Sequence, residues 1–177
     1  MAQVRPVRLF GDPVLRSVAD PVTEFDGALR ALVDDMGSTM AHENGAGLAA
    51  NQIGVLRRVI VWEDGGRQGH LVNPEWSAVV DAQVDAHVEG CLSIPGIYNE
   101  VERYETVDVR GVDVDGSPVE FRASGFLARV IQHEVDHLDG VLFLKRLTPQ
   151  RRRESMAELR AMPWFAGHES FFAPVGG

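Results

Sequence analysis

The stretch IQHEVDHLDG, residues 131–140, sets His133, Glu134 and His137 in the order His-Glu-x-x-His. On an α-helix, positions i and i+4 lie one above the other on the same face, so two imidazoles so spaced can hold one metal ion. A glutamate beside the first of them can work as general base on water activated by that metal. The flanks suit a helix: Ser124 is a good N-cap for GFLARVIQHEVDHLD, and Gly140 stands just past its end. Leu127, Val130, Ile131 and Leu138 supply an apolar stripe, which predicts a helix buried among other elements.

The chain is long enough to build a core around such a helix. It has 177 residues, 45% hydrophobic and 24% charged, as expected for one globular domain. Residues 1–165 read as that domain, and 166–177 as a tail without periodicity, expected to be mobile. The N-terminus, MAQVRPVRLF, lacks the basic-then-apolar run of a signal peptide, and no apolar run is long enough to cross a membrane. A cytoplasmic location is expected. The single cysteine, Cys91, excludes an internal disulfide framework, and is either a buried small hydrophobe or a reagent or ligand. A net charge of -9 argues against DNA and general nucleic-acid binding. The charge is uneven, however: residues 145–160 hold six basic and two acidic side chains, so this segment is +4 and the remainder -13. It is either a solvated helix face or a docking patch for something anionic, such as ribosomal RNA.

Along the chain, Phe25, Leu29, Leu32, Val33, Met36 and Met40 recur at helical spacing, predicting a helix from Asp26 to about His42, stopped before Asn44-Gly45. The next stretch, GAGLAANQIG, is too rich in Gly and Ala for a clear assignment, and lets the backbone come close to something else. Short strands follow at RRVIVWE, HLVNPEW and VDAHVEG, with a turn at Asp64-Gly65-Gly66. From Val101 the pattern alternates through YETVDVRGVDV, turns at Asp115-Gly116 and continues as SPVEFRA, a β-hairpin. Thr148-Pro149 opens a last helix through about Met162. The fold class is therefore α+β: short, mostly antiparallel strands packed around a central metal-binding helix, with a C-terminal helix.

Two histidines do not complete a catalytic site. The extended pattern HExxHxxGxxH nearly fits, since Gly140 stands where its glycine belongs, but its third histidine position is Phe143, which cannot ligate. A carboxylate on a following helix, Glu158, and the thiol of Cys91 in EGCLSIPG are the other candidates.

Three motifs, GAGLAANQ (45–52), EGCLS (89–93) and QHEVDH (132–137), occur in an order and at separations that resemble bacterial peptide deformylase, whose patterns are GxGxAAxQ, EGCxS and QHExDH. The resemblance implies that Cys91, His133 and His137 hold one divalent metal ion, Fe(II) being expected and Ni(II), Co(II) or Zn(II) able to substitute. It implies hydrolysis of the formyl amide of N-formylmethionyl nascent peptides by metal-bound hydroxide, with Glu134 as general base and acid. Gln52 and the backbone N–H of Leu92 would stabilise the oxyanion. Gly45 and Gly47 would let the substrate backbone lie close, Phe126 and Val130 would line the methionine pocket, and His87 and Tyr98 would stand at its wall or mouth. Glu89 would steady the Cys91 loop through Arg103, unless the two form only a surface ion pair. Ala46 and His87 stand where larger or aliphatic residues are common in the family. Two other readings compete: a thermolysin-like endopeptidase using Glu158, and a metal or redox sensor in which Glu134 is dispensable.

Overall fold

A computed structural model describes residues 1–166, and the tail from 167 onward lies outside them. Asp26 caps the first helix, α1 (Gly27–His42), its carboxylate accepting from Leu29 N at 3.0 Å. The helix gives way to Asn44 in the left-handed region, φ 55°. The Gly/Ala-rich stretch then splits into a three-residue strand, β1 (Gly47–Ala49), and a 3₁₀ turn, Ala50–Ile53.

β1 is the edge of a five-stranded antiparallel sheet of order β1-β2-β3-β6-β7, with β2 Val59–Asp64, β3 Arg67–Ala78, β6 Thr106–Val112 and β7 Pro118–Ser124. Period-two alternation sorts the side chains of β2 by face. Ile60 joins Leu71, Val107, Val109 and Ala123 against the second helix, α2 (Gly125–Leu138), whereas Val59 and Val61 join Val72 against α1. The sheet is thus the middle layer between two helices. Between Val72 and Glu75 the β3–β6 register slips, and Asn73 at φ 51° uses its carboxamide to bond both N and O of Val22.

The alternation from Val101 to Val112 is not one strand. It breaks at Glu105: the first part, β5 (Asn99–Tyr104), pairs with β4 (Val84–Glu89) in a separate two-stranded ribbon, and only β6 enters the hairpin with β7. The ribbon lies across α2 from the main sheet, so that residues 128–138 are all buried. Gln132 acts as a substitute strand there, accepting from Tyr104 N at 3.0 Å and donating to Tyr104 O at 2.8 Å. Ser124 occupies the N-cap position of α2, but its hydroxyl makes no cap bond and lies 3.2 Å from Thr106 Oγ1. At the other end Gly140, φ 70°, is required twice over, since a Cβ there would sit 2.6 Å from Arg16 O.

Thr148 caps α3 (Pro149–Ala161) as its sequence indicates, accepting from Arg151 N, but α3 is not the last helix: a short α4 (Pro163–Ala166) follows. Leu159 and Phe165 close a third apolar cluster with Leu15, Ile94, Ile97, Leu142 and Phe143. The N-terminal arm reaches several parts of the molecule. Gln3 N and Arg5 N bond Asp35 and Thr39 on α1, Arg8 N donates to Gln52 O at 2.7 Å, and Phe10 N donates to Ser93 O at 2.7 Å. Among the described residues no helix is long and apolar enough to cross a membrane.

Candidate metal centre

α2 points both its motif histidines toward the turn that follows β4, where Cys91 sits. One ligand atom each from Cys91, His133 and His137 falls within 4.8 Å of the others. The His133 and His137 Nε2 atoms are 3.2 Å apart, and Cys91 Sγ is 3.3 Å from His137 Nε2. Two Nε2 atoms facing each other cannot both keep a proton comfortably. Tetrahedral coordination with bonds of about 2.0–2.3 Å puts donors roughly 3.3–3.7 Å apart, so the donor set fits one small divalent cation. Burial pulls His133 down, but its contacts with Cys91 and Glu89 outweigh that and raise it well above the usual imidazole range. Burial and the charge of His133 push His137 well below it. Glu158 is exposed on α3 and has no place in the cluster, which removes the thermolysin-like arrangement. Phe143 lies next to the centre as packing, its ring stacked on His133 at 6.1 Å.

His133 is oriented through its other nitrogen. Nδ1 donates to Glu89 Oε2 at 2.8 Å, which turns Nε2 inward. Glu89 also receives Arg103 Nε at 2.8 Å and Arg103 Nη2 at 3.0 Å, and both residues are buried, so the pair is not a surface one. Burial alone would raise the Glu89 carboxyl, but the bonds from His133 and Arg103 hold it down to about 2. Two partners escaped the sequence reading. Arg129 Nη1 bonds Glu89 Oε1 at 2.9 Å, while its fork also reaches Val101 O and Asp85 O, tying the ribbon to α2. Asp136 accepts from Arg103 Nη1 at 2.6 Å. The i, i+4 spacing of Arg129, His133 and His137 was the available signal.

Cys91 and His133 line a cavity of about 420 Å³, with His137 buried behind them. Glu134 lines it, and its Oε2 is buried with no hydrogen-bond partner among the described residues. Burial raises its carboxyl to about 7. Gln52 is fixed by Ala49 N, which donates to Oε1 at 2.9 Å, leaving Nε2 to reach Ser93 Oγ at 3.2 Å and Cys91 Sγ at 3.7 Å. Gly45 and Gly47 line the cavity, yet their missing side chains are first of all space for the chain itself. A Cβ on Gly45 would lie 2.7 Å from Leu92 Cδ1, and one on Gly47 2.6 Å from Glu134 Oε1. Leu92, Val130, Phe126 and Tyr98 also line the cavity, the last two being exposed at its mouth. His87 does not. It lies in an adjoining cleft beyond Phe126 and Arg129, exposed on β4 and 2.8 Å from Asp85, because the ribbon turns inward only at Glu89.

A partly buried thiol and two buried imidazoles, beside a buried glutamate in a largely apolar cleft, define the class: a hydrolase built on a single metal ion. Residues 4–153 match the polypeptide deformylase family model. Peptide deformylase 1 of Corynebacterium glutamicum is 56% identical over 92% of this chain and 98% of its own length. A crystal structure of a peptide deformylase from Legionella pneumophila superposes with TM-score 0.84 at 39% identity, covering 93% of this chain and 98% of that one. One from Synechococcus elongatus, in complex with actinonin, gives 0.82 at 38% identity, with 89% and 88% covered. The chain belongs to the polypeptide deformylase family, metal-dependent enzymes that remove the N-formyl group from nascent peptides.

Proposed function

We propose that residues 1–165 are a single catalytic domain that hydrolyses the formyl amide of N-formylmethionyl peptides in the cytoplasm, with one divalent ion on Cys91, His133 and His137. The observation that carries this is the three-donor cluster of Cys91, His133 and His137, the first two lining a cavity that Glu134 also lines. Fe(II) is the expected ion, a thiolate with two imidazoles also accepting Ni(II), Co(II) or Zn(II). When bound, the ion supplies Lewis acidity to the formyl carbonyl and acidifies the attacking water.

The remaining steps belong to the chain. Glu134, raised to about 7 by burial, takes a proton from the water that adds to the formyl carbon. The new oxyanion accepts hydrogen bonds from Gln52 Nε2 and Leu92 N, each worth ~2.7–4 kcal/mol in the barrier. Glu134 then returns the proton to the departing nitrogen as the C–N bond breaks, giving formate and a free amino terminus. Gly45, Gly47 and the Tyr98 ring frame the peptide, with Phe126 and Val130 as apolar wall for the methionine side chain. Arg103 and Glu89 keep His133 in register. Exposed Arg152 and Arg153 on α3 are available for ribosomal RNA, whereas Arg146 and Arg151 already pair with Asp136 and Glu100.

The test is formate release from N-formyl-Met-Ala-Ser by protein prepared without oxygen and loaded with Fe(II) or Ni(II). Rapid release, lost in Glu134→Gln and in Cys91→Ser, is the expected result. Protein that holds one metal per chain yet liberates no formate would overturn the reading. For the RNA contact, unchanged ribosome binding after neutralising Arg151, Arg152 and Arg153 would count against it.

A further inference from the structure

We infer that Arg146, a half-exposed residue outside the cavity, is a positioning residue for the ligand His133. The inference rests on the reading that Cys91, His133 and His137 hold the metal. A continuous series of ion pairs joins the two residues. His133 Nδ1 bonds Glu89; Arg103 spans Glu89 and Asp136; and Asp136 takes Arg146 Nε at 3.0 Å on Oδ2 and Nη2 at 2.6 Å on Oδ1. Every member is buried except Arg146, whose side chain is 48% exposed.

Charge balance shows why the outer link matters. Among the described residues Arg103 is the only cation that both buried carboxylates share, placing two of its N–H groups on Glu89 and one on Asp136. Arg146 meets the rest of what Asp136 requires with a two-bond fork. Without it, a buried carboxylate is left with one partner, and Arg103 is drawn from Glu89 toward Asp136. Glu89 then holds His133 Nδ1 in altered geometry, and Nε2 no longer points squarely at the ion.

A second observation converges on the same turn. Phe143 and Arg146 are the first and last residues of the 3₁₀ turn Phe143–Arg146, and Phe143 stacks on the His133 ring with 27° between planes. One turn therefore supports the imidazole on its face and, through three intermediaries, at its outer nitrogen. Because Arg146 lies at the surface, its replacement leaves the apolar core untouched.

The experiment loads the protein with Co(II) and follows both its visible absorption bands and the rate of metal loss to excess chelator. Arg146→Met is expected to shift the bands and to speed metal loss about tenfold, the low end for residues behind a metal ligand. Arg146→Lys should fall between, since an ammonium replaces a planar fork. Arg122→Met, which breaks an exposed pair with Asp108 on the sheet, should change neither. A merely structural role would lower the unfolding midpoint of the metal-free protein without moving the cobalt bands. Wild-type bands and rate in Arg146→Met, or equal changes in Arg122→Met, would overturn the inference. Should Arg146→Met not fold, the order of Arg146→Lys against wild type decides. If His133→Ala takes up cobalt as wild type does, the metal assignment itself fails and the inference with it.

Discussion

Glu134 and Glu89 stand on either side of His133 and respond to pH in opposite senses. Burial holds Glu134 protonated up to about 7 in the fold, against 4.5 when unfolded. Between those values the folded chain keeps a proton that the unfolded chain has released, so in the metal-free protein this group lowers stability as pH rises, and the cost is constant above 7. Glu134→Gln should therefore stabilise the metal-free protein by roughly 1–3 kcal/mol above pH 7, with the gain vanishing below about 4.5. Urea unfolding across that range checks it, and an equal gain at every pH would refute the burial argument. Glu89 is the reverse case. Held down to about 2, it adds stability that is complete above its unfolded value of 4.5 and lost as pH falls toward 2. Much at this scale was legible beforehand: Cys91, His133 and His137 converge as their motifs imply. Arg129 was marked only by its i, i+4 spacing to His133, and Arg146 not at all, because an arginine names its partner only when the fold brings a carboxylate from 40 or 10 positions away.

At the scale of elements, local chemistry announced itself where the partner was near in sequence. Asp26 before α1, Thr148-Pro149 before α3 and Gly140 after α2 all stand where a cap is needed. It misled at Ser124, whose hydroxyl sits beside a neighbouring strand, and from Val101 to Val112, where one unbroken alternation serves two sheets. Hydropathy cannot register that break, since both parts bury every second residue; what separates them is which strand lies alongside. Gln132 holds the ribbon end that results. Gln132→Leu leaves Tyr104 N and O without their side-chain partner, and should cost about 1–3 kcal/mol by urea unfolding. A loss no larger than that of an exposed substitution would show that water replaces the carboxamide fully.

Across the whole molecule the site lies where three packed regions meet: the sheet with α2, the sheet with α1, and the cluster closed by α3 and α4. Leu159 belongs only to the last. Leu159→Ala should destabilise the protein by ~2–4 kcal/mol in thermal unfolding while the cobalt bands stay as in wild type. Displaced bands would mean that the C-terminal cluster shapes the centre directly. The opposite terminus has a different relation to the chemistry. Its arm is stitched to the carbonyls of Gln52 and Ser93, one residue from each of the two loops that carry the amide and the thiol. A single proteolytic nick near Leu9 would fall between the two fastenings, freeing the one on Gln52 while every residue of the centre remained intact.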